Sequence, residues 1–383
     1  MGQAGFLESP SLLITRRANR SMRFAPKRAG CVRSVYAALR CMPIHELNAM
    51  ILAAGLGTRL GGLGQERPKA MLPVCNQPLV SWALGWAAHH GLRRAAVNLH
   101  HHGEQIRTWV SDGRHLGVEV VYSEEPELLG TGGGIKAMAA LLAPCTTVVV
   151  NGKVVSDIDL SRVVAHHRRH RSVATLVVVQ HAHADAWGAV RIDERGRVVR
   201  IAEIEGPSVG TIGPGHLFTG IHVIEPELVQ VIPQGPCCVI RTAYAELLAC
   251  GAPIHAFVHS GYFYEHSTPQ RYLQGNLNLL DGRVDPPGRP GPLRGVSPEA
   301  VIHKGARLVD PVLVASGAVV RDGAVVGPRV ALGEGATVAP GVTLTDAVVW
   351  ARAVVSSSAA RAIITPTGRV PVSPTVDPMA FPR

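Results

Sequence analysis

A glycine-rich loop followed closely by two cations is the strongest chemical signal in the sequence. The loop runs from Leu52 to Arg59 as Leu-Ala-Ala-Gly-Leu-Gly-Thr-Arg, and Lys69 stands in an Arg-Pro-Lys string just beyond it. Glycines let the backbone come close to a phosphate, and N–H groups of a loop after a strand can point at phosphate oxygens. Arg59 and Lys69 would add positive charge, which suits phosphoryl or nucleotidyl transfer. A glycine turn with two solvated cations is the alternative that the loop alone leaves open.

Two common phosphate-binding motifs do not fit this loop. A Walker P-loop needs Gly-Lys-Ser or Gly-Lys-Thr after its glycines, and neither follows here. A dinucleotide fingerprint needs a Gly-x-Gly-x-x-Gly spacing and an acid about twenty residues further on. The chain has neither that spacing nor that acid. The loop therefore indicates another class of nucleotide site.

The segments around the loop alternate between apolar strands and amphipathic helices. Strands are predicted at 49–54, 95–99, 118–122, 146–150 and 173–179, and helices at 77–90, 131–142 and 158–170. A continuous apolar strand is typical of a parallel sheet that is buried on both faces. The alternation predicts an α/β fold with right-handed crossovers.

A six-residue repeat marks the C-terminal part of the chain. Small or branched residues recur every six positions from Ala300 to Val348, and a second apolar series runs from Ile302 to Trp350. Such a repeat predicts a left-handed parallel β-helix, with three hexads in each triangular coil. The matches predict about three coils.

These signals divide the chain into five parts. The predicted parts are a basic, poorly ordered extension at 1–46, an α/β domain at 47–281, a Gly- and Pro-rich linker at 282–297, the β-helix at 298–356 and an irregular tail at 357–383.

The net charge of +10 is concentrated at the N-terminus. Before His45 there are eight basic residues and one acid, a net +7, and the rest is nearly balanced. This distribution argues against a nucleic-acid partner for the whole chain. The segment is interpreted as a dispensable extension, with an organellar transit peptide or an upstream start before Met42 or Met50 as alternatives.

Cysteine spacing and hydropathy predict a cytoplasmic protein without a membrane partner. The seven cysteines include no Cys-x-x-Cys pair, which argues against a disulfide framework or a zinc site. No apolar run reaches the roughly 18–20 residues of a membrane helix.

The loop string resembles the signature of the sugar-nucleotide pyrophosphorylases, which are sugar-1-phosphate nucleotidyltransferases. The shared pattern is L-A-A-G-x-G-T-R-L followed by P-K-x-x-x-P, and similarity covers residues 49–280. Mannose-1-phosphate guanylyltransferases are the most similar members. The resemblance implies a Rossmann-like mixed, mainly parallel sheet, and a β-helix tail is common in the family. It also implies that a sugar-1-phosphate attacks the α-phosphate of a nucleoside triphosphate and releases pyrophosphate.

The resemblance also implies a role for each matching residue. Arg59 and Lys69 would be catalytic cations. Glu125 could accept hydrogen bonds from guanine N1–H and N2–H₂, which favours GTP, although a solvated loop acid is the alternative. The implied nucleotide-binding residues are Leu52, Ala53, Ala54, Gly55, Gly57, Thr58, Glu125, Gly130 and Thr131. The implied sugar-phosphate-binding residues are Gly188, Glu203, Thr219 and Gly220.

The sequence departs from the family pattern at three places. Lys153 stands where relatives carry a Mg²⁺-binding Asp, and Glu265 stands where a second metal Asp is usual. The sugar-phosphate string, which starts at Glu203, lacks the usual Lys. An ammonium cannot be a Mg²⁺ ligand, so Lys153 is a third candidate catalytic residue that supplies charge itself. Glu265 and Asp157, or Asp159, are the candidate metal ligands, and Mg²⁺ is expected to come with the nucleotide.

The leading hypothesis is guanylyl transfer from GTP to mannose-1-phosphate. A catalytically degenerate nucleotide-sugar-binding or regulatory relative is the alternative, because the metal positions are changed. A β-helix acyltransferase is the weakest option, since it needs a catalytic His and the only one in the coils, His303, stands in the first coil without acidic company. The β-helix is also expected to join copies of the chain into a homo-oligomer.

Overall fold

The computed structural model describes residues 46–142, 145–207 and 212–373. These residues belong to one compact unit that begins at Met42. The predicted N-terminal extension lies outside the described residues, apart from Glu46, and so do residues 374–383 of the predicted tail.

The α/β part of the chain is built on a mixed ten-stranded sheet. Its ten strands and two short accessory pairs, β2 with β3 and β7 with β14, are β1 Asn48–Leu52, β2 Pro73–Val74, β3 Gln77–Pro78, β4 Arg94–Leu99, β5 Glu119–Glu124, β6 Thr147–Asn151, β7 Val154–Ser156, β8 Ala174–Gln180, β9 Val190–Ile192, β10 Val198–Ile201, β11 Ile204–Glu205, β12 His216–Ile224, β13 Ile254–His259 and β14 Phe263–Glu265. Strands β5, β4, β1 and β6 are parallel neighbours, and β12 runs antiparallel to β6.

Helices cover both faces of this sheet. They are α1 Gly62–Glu66, α2 Leu79–His89, α3 Gly103–Val110, α4 Gly130–Ala137, α5 Ala139–Leu142, α6 Leu160–Arg169, α7 Pro226–Val231, α8 Ala245–Ala249 and α9 Pro269–Leu280. Alternate residues of β1 enter different cores, with Ile51 packed beside α2 residues such as Leu84 and Met50 packed beside Ile135 of α4. In the described residues, no helix is long and apolar enough to cross a membrane.

The predicted β-helix is confirmed. Its strands are β15 Gly295–Val296, β16 Val301–Ile302, β17 Arg307–Leu308, β18 Val312–Val314, β19 Val319–Val320, β20 Val325–Val326, β21 Val330–Leu332, β22 Thr337–Val338, β23 Thr343–Val349, β24 Val354–Val355, β25 Ala359–Thr365 and β26 Gly368–Pro371. Val301 pairs in parallel with Val319, which pairs with Thr337, so each coil takes three hexads. Alanine and branched side chains fill the coil interior, because two positions of each hexad point inward.

The prediction of an irregular tail after 357 is wrong for residues 359–371. β25 continues the stack on β23, and β26 folds back antiparallel on β25. In this last step Ala347 pairs with Ala362, fifteen residues further on, whereas the earlier coils have spacings of seventeen or eighteen residues. The six-residue periodicity of the sequence therefore ends where the coil shortens and a hairpin begins.

The prediction that His303 lacks acidic company is wrong. Asp322, one coil further on, lies with Oδ2 2.8 Å from His303 Nδ1. The carboxylate side chain is two-thirds exposed, so the pair is a solvated contact between coils and not an enclosed acyl-transfer site.

Candidate functional site

The carboxyl ends of three parallel strands meet beneath the glycine-rich loop. Leu52 ends β1 and is the register partner of Asn98 on β4 and of Asn151, the last residue of β6. Ligands of open α/β sheets bind outside this edge, because the connecting loops form a crevice there. The Gly152 N–H donates to the Leu52 carbonyl at 3.0 Å. The loops after β1 and β6 therefore run side by side.

Two glycines give the loop its shape. Gly57 has φ +68°, a left-handed conformation that favours glycine. A Cβ at Gly64 would lie 2.6 Å from the Gly57 carbonyl oxygen, so this close approach also requires glycine. The turn Thr58–Leu60 follows, with the Leu60 side chain buried and the Arg59 side chain 55% exposed. The buried leucine holds the turn while the guanidinium projects into solvent.

Asn98 fixes the start of the loop. Its Oδ1 accepts a hydrogen bond from the Ala53 N–H at 2.7 Å, and its Nδ2 donates to Glu125 Oε1 at 2.8 Å. Glu125 Oε2 accepts from the Leu129 N–H at 2.9 Å. A buried carboxylate must find such partners, because leaving it unpaired costs free energy.

The prediction that Glu125 reads the base is therefore corrected. Glu125 is 3% exposed, both carboxylate oxygens have protein partners, and it does not line the cavity described below. It ties the loop after β5 to β4. The neighbouring Gly130 and Thr131 do line the cavity.

Four charged side chains cluster at this edge. Lys153 Nζ lies 2.8 Å from Glu265 Oε1, and Arg59 Nη2 lies 3.9 Å from the same oxygen. Burial first, and then the charge of Lys153, lower the pKa of Lys69 to about 8, with Glu265 opposing the change. Burial alone would raise the pKa of Glu265, but the Lys153 ammonium, the Arg271 guanidinium and the Ser267 hydroxyl together outweigh it and bring the pKa to about 2. The cluster thus holds three cations around one carboxylate.

A cavity of about 260 Å³ lies between the loop and the ends of β4 and β6. It brings together much of the predicted nucleotide-binding set with Lys69 and Lys153. Its lining residues are Leu52, Ala53, Ala54, Gly55, Lys69, Ala70, Asn98, Leu128, Gly130, Thr131, Asn151, Gly152 and Lys153. The cavity therefore joins backbone from a phosphate-type loop to two lysine side chains.

The four predicted sugar-phosphate residues lie outside that lining. Gly220 has φ +77°, and a Cβ there would approach Asn151 Nδ2 to 1.9 Å, so glycine is needed beside the cavity wall. Gly188 also has a left-handed φ, and Glu203 is an exposed partner of Arg241, 3.3 Å away. Thr219 is buried.

The sugar-contact prediction for Thr219 is corrected. Its Oγ1 donates to the Val177 carbonyl at 2.8 Å and accepts from the Ile221 N–H at 3.1 Å. With the residue 1% exposed, the hydroxyl holds the bulge between β12 and β8.

Comparison with known proteins decides which family has this arrangement. The family model described as nucleotidyl transferase matches residues 48–232. A mannose-1-phosphate guanylyltransferase of Mycobacterium tuberculosis is 33% identical over 282 residues, covering 73% of this chain and 76% of the relative. The chain belongs to the nucleotidyl transferase family.

Other relatives of this nucleotidyltransferase differ in nucleotide and sugar. A UTP–glucose-1-phosphate uridylyltransferase of Synechocystis is 32% identical over 202 residues, covering 49% of this chain and 52% of the relative. A solved structure assigned as a glucose-1-phosphate thymidylyltransferase of Bacillus anthracis overlaps with a TM-score of 0.53 at 17% identity, covering 60% of this chain and 94% of that one. That overlap shows the shared fold.

The acids predicted as metal ligands do not fit a metal site in this nucleotidyltransferase. Glu265 pairs with Val154 at one end of β7, whereas Asp157 follows the other end, roughly 10 Å along the strand. Asp157 Oδ1 bonds His259 Nε2 at 2.9 Å, and Asp159 caps α6. Among the described residues no three His, Cys, Asp or Glu side chains converge for a metal. The prediction that Asp157 supplies a displaced ligand beside Glu265 is wrong.

Two cavity residues of this nucleotidyltransferase received no role from sequence reasoning. Asn98 and Asn151 lie within the range that the resemblance covers, but it implied no role for either. Each interrupts an otherwise apolar buried strand close to its carboxyl end. A buried amide in such a strand needs specific partners, which is the signal that could have identified both.

Proposed function

We propose that this nucleotidyltransferase transfers a guanylyl group from GTP to mannose-1-phosphate, giving GDP-mannose and pyrophosphate. The observation that carries the proposal is the cavity with Lys69 and Lys153 on its wall, beside Arg59. Three cations with one carboxylate suit a polyphosphate, which carries several negative charges. The names of the relatives support a sugar-1-phosphate as the acceptor.

The reaction makes one phosphorus–oxygen bond and breaks another. A phosphate oxygen of mannose-1-phosphate attacks the α-phosphorus of GTP, while the bond from that phosphorus to the oxygen bridging to the β-phosphate breaks. Pyrophosphate leaves with the electron pair of the broken bond. Since little covalent chemistry falls to the protein, the residues act by positioning and by stabilising charge.

The proposal assigns a separate role to each of the three cations. Lys69, which lies partly buried in the cavity wall, neutralises a phosphate oxygen of the nucleotide. Arg59, which is exposed at the loop, stabilises charge that develops on the leaving pyrophosphate. Lys153 supplies positive charge at the position where relatives carry an acid. The acids of the described residues do not converge as a set of metal ligands, so a Mg²⁺ ion would be held by the nucleotide.

Support for the two substrates is of different kinds. The guanylyltransferase of Mycobacterium tuberculosis is similar to this chain over three quarters of its own length, which favours GTP and mannose-1-phosphate. Leu128, Gly130 and Thr131, which line the cavity, are the proposed base side. Gly188, Glu203 and Gly220 remain the proposed acceptor side.

A substrate panel tests the function. The full chain is incubated with GTP, ATP, UTP or dTTP together with mannose-1-phosphate or glucose-1-phosphate, and pyrophosphate release is measured. We expect release to be fastest with GTP and mannose-1-phosphate. Faster release with another pair would overturn the substrate assignment. If calorimetry shows nucleotide binding but no pair releases pyrophosphate, the binding or regulatory alternative would be favoured. The presence of Lys153 at the position where relatives carry an Asp supports that alternative.

We also propose that the β-helix joins copies of the chain. Its first coil exposes Val296 and Val301 at an open end, and Ile302 and Leu308 beside them are only partly covered. Stacking against a second copy would cover this apolar surface. Sedimentation at micromolar concentration should show a dimer or larger, and a monomer would overturn the proposal.

A cytoplasmic location remains a prediction from the cysteine pattern.

A further inference from the structure

The segment between Arg59 and Lys69 lies against the β-helix. It contains α1, which ends at Glu66, three residues before Lys69. Leu63 of α1 is buried in a hydrophobic cluster that includes Trp350 of the β-helix. The chain that joins two of the proposed catalytic cations is therefore packed on the C-terminal coils.

Polar contacts hold the same segment. Glu66 Oε1 accepts a hydrogen bond from Thr365 Oγ1 at 2.9 Å and a second one from the Thr367 hydroxyl. The Arg67 guanidinium lies over the Trp350 ring, 5.0 Å from its centroid. We call these five residues the loop anchor. Glu66 and Arg67 belong to the nucleotide-binding segment, and the other three belong to the last part of the β-helix.

The β-helix side of the loop anchor is itself fixed. Trp350 is 1% exposed, and its Nε1 donates to the Tyr272 hydroxyl at 3.1 Å. That hydroxyl donates to the Pro73 carbonyl at 2.6 Å, just beyond Lys69. Asn76 Nδ2 donates to the Leu332 carbonyl at 2.9 Å. The segment is thus held by the β-helix on both sides of Lys69.

We propose that the loop anchor is a positioning device of the catalytic site. The last coils of the β-helix hold residues 60–68 so that Arg59 stays beside the cavity whose wall contains Lys69. The inference rests on the proposed function, because positioning matters where the two cations act on one phosphate chain. A displacement of about 1 Å at a reacting group can cost on the order of 100-fold in rate.

The test compares anchor variants with a matched control in the full chain. Thr365→Val combined with Thr367→Val removes both hydroxyl donors to Glu66 at nearly constant volume. Trp350→Phe keeps an aromatic ring but loses the bond to Tyr272. Thr365→Ser keeps the hydroxyl. Thr337→Val makes the same Thr-to-Val change on another face of the β-helix. Each protein is assayed well below its own Tm, with the nucleotide and sugar phosphate that the wild type turns over fastest.

The expected result is a selective loss in the anchor variants. The double valine variant and Trp350→Phe should lose about 10- to 100-fold in kcat/KM, while Thr365→Ser and Thr337→Val should stay within about twofold of wild type. The alkaline limb of the kcat/KM profile, which reports Lys69 in its buried place, should move upward in pH in the anchor variants, because a displaced Lys69 regains water. A purely structural contact would lower Tm without moving that limb.

The outcomes separate the two proposals. A wild-type chain that turns over no pair overturns the proposed function and, with it, the loop anchor. An active wild type whose folded anchor variants keep both kcat/KM and the alkaline limb overturns the loop anchor alone. Equal losses in Thr337→Val and the double valine variant would also overturn it.

Discussion

Lys153 and Glu265 face each other across the β7–β14 pair, with Nζ of the lysine 2.8 Å from Oε1 of the glutamate. The carboxylate stays ionised because the ammonium, with Arg271 and Ser267, outweighs the effect of its burial on the pKa. A carboxylate bound to an ammonium in this way is a poor ligand for a second cation. The pair therefore explains why an acid remains at the site although the acids do not form a metal site.

Lys153→Ala is expected to lower kcat by about 100-fold or more, the usual effect of removing a preorganised charge from a transition state. Lys153→Arg, which keeps the charge, is the control and should retain more activity. Lys153→Asp with Glu265→Asp would offer two oxygen ligands and should make turnover depend more steeply on Mg²⁺ concentration. For each variant, the rate of pyrophosphate release is measured as a function of Mg²⁺ concentration. Wild-type rates in Lys153→Ala would contradict the assignment of Lys153.

Arg59→Ala and Lys69→Ala should each weaken nucleotide binding or turnover by about 2–4 kcal/mol. Both cations lie at the loop or in the cavity wall, and neither is needed to fill a hydrophobic core. Calorimetry with GTP and initial rates measure the effect. Arg114→Ala removes an exposed arginine paired with Asp112 and should leave both unchanged. Wild-type behaviour of both site variants would show that the loop assignment is wrong.

Lys69 should give the enzyme an alkaline limit near pH 8. Its pKa is lowered to about 8 in the folded chain, so the ammonium that attracts phosphate is lost as pH rises through that value. GTP affinity and kcat/KM should therefore fall above about pH 8. Lys69→Arg, with a guanidinium that keeps its proton, should remove that fall.

The stability of the nucleotide-free chain should rise with pH over the range in which the affinity for nucleotide falls, and Lys69 causes both changes. The unfolded pKa of lysine is about 10.4, so between about pH 8 and 10.4 the unfolded chain binds more protons at this residue. The contribution of Lys69 to stability therefore rises with pH across that window. Urea unfolding of wild type and Lys69→Met measures it as a difference. A difference that falls with rising pH would contradict the lowered pKa.

The sequence predicts the local parts of this site better than the contacts between them. The loop after β1 is recognisable because glycine spacing and the preceding apolar run are neighbours in the chain. The hydrogen bond from Asn98 to Glu125 joins residues on two different strand ends, and Lys153 and Glu265 are 112 positions apart. Only the sheet register brings such residues together. For the same reason the sequence predicts a base-reading role for Glu125, whereas in the fold its two carboxylate oxygens accept hydrogen bonds from Asn98 and Leu129.

Glu125→Gln separates the structural role of Glu125 from base reading. Glutamine would set an amide donor against either the Asn98 amide or the Leu129 N–H, so the free energy of unfolding should fall by about 1–3 kcal/mol. The preference for GTP over ATP should stay within about twofold of wild type, since neither oxygen is open to the cavity. Glu124→Gln, the same change at the preceding exposed residue, is the control and should alter neither quantity. Urea unfolding gives the first quantity, and kcat/KM for the two nucleotides gives the second. A variant with unchanged stability and a reversed preference would return Glu125 to the base site.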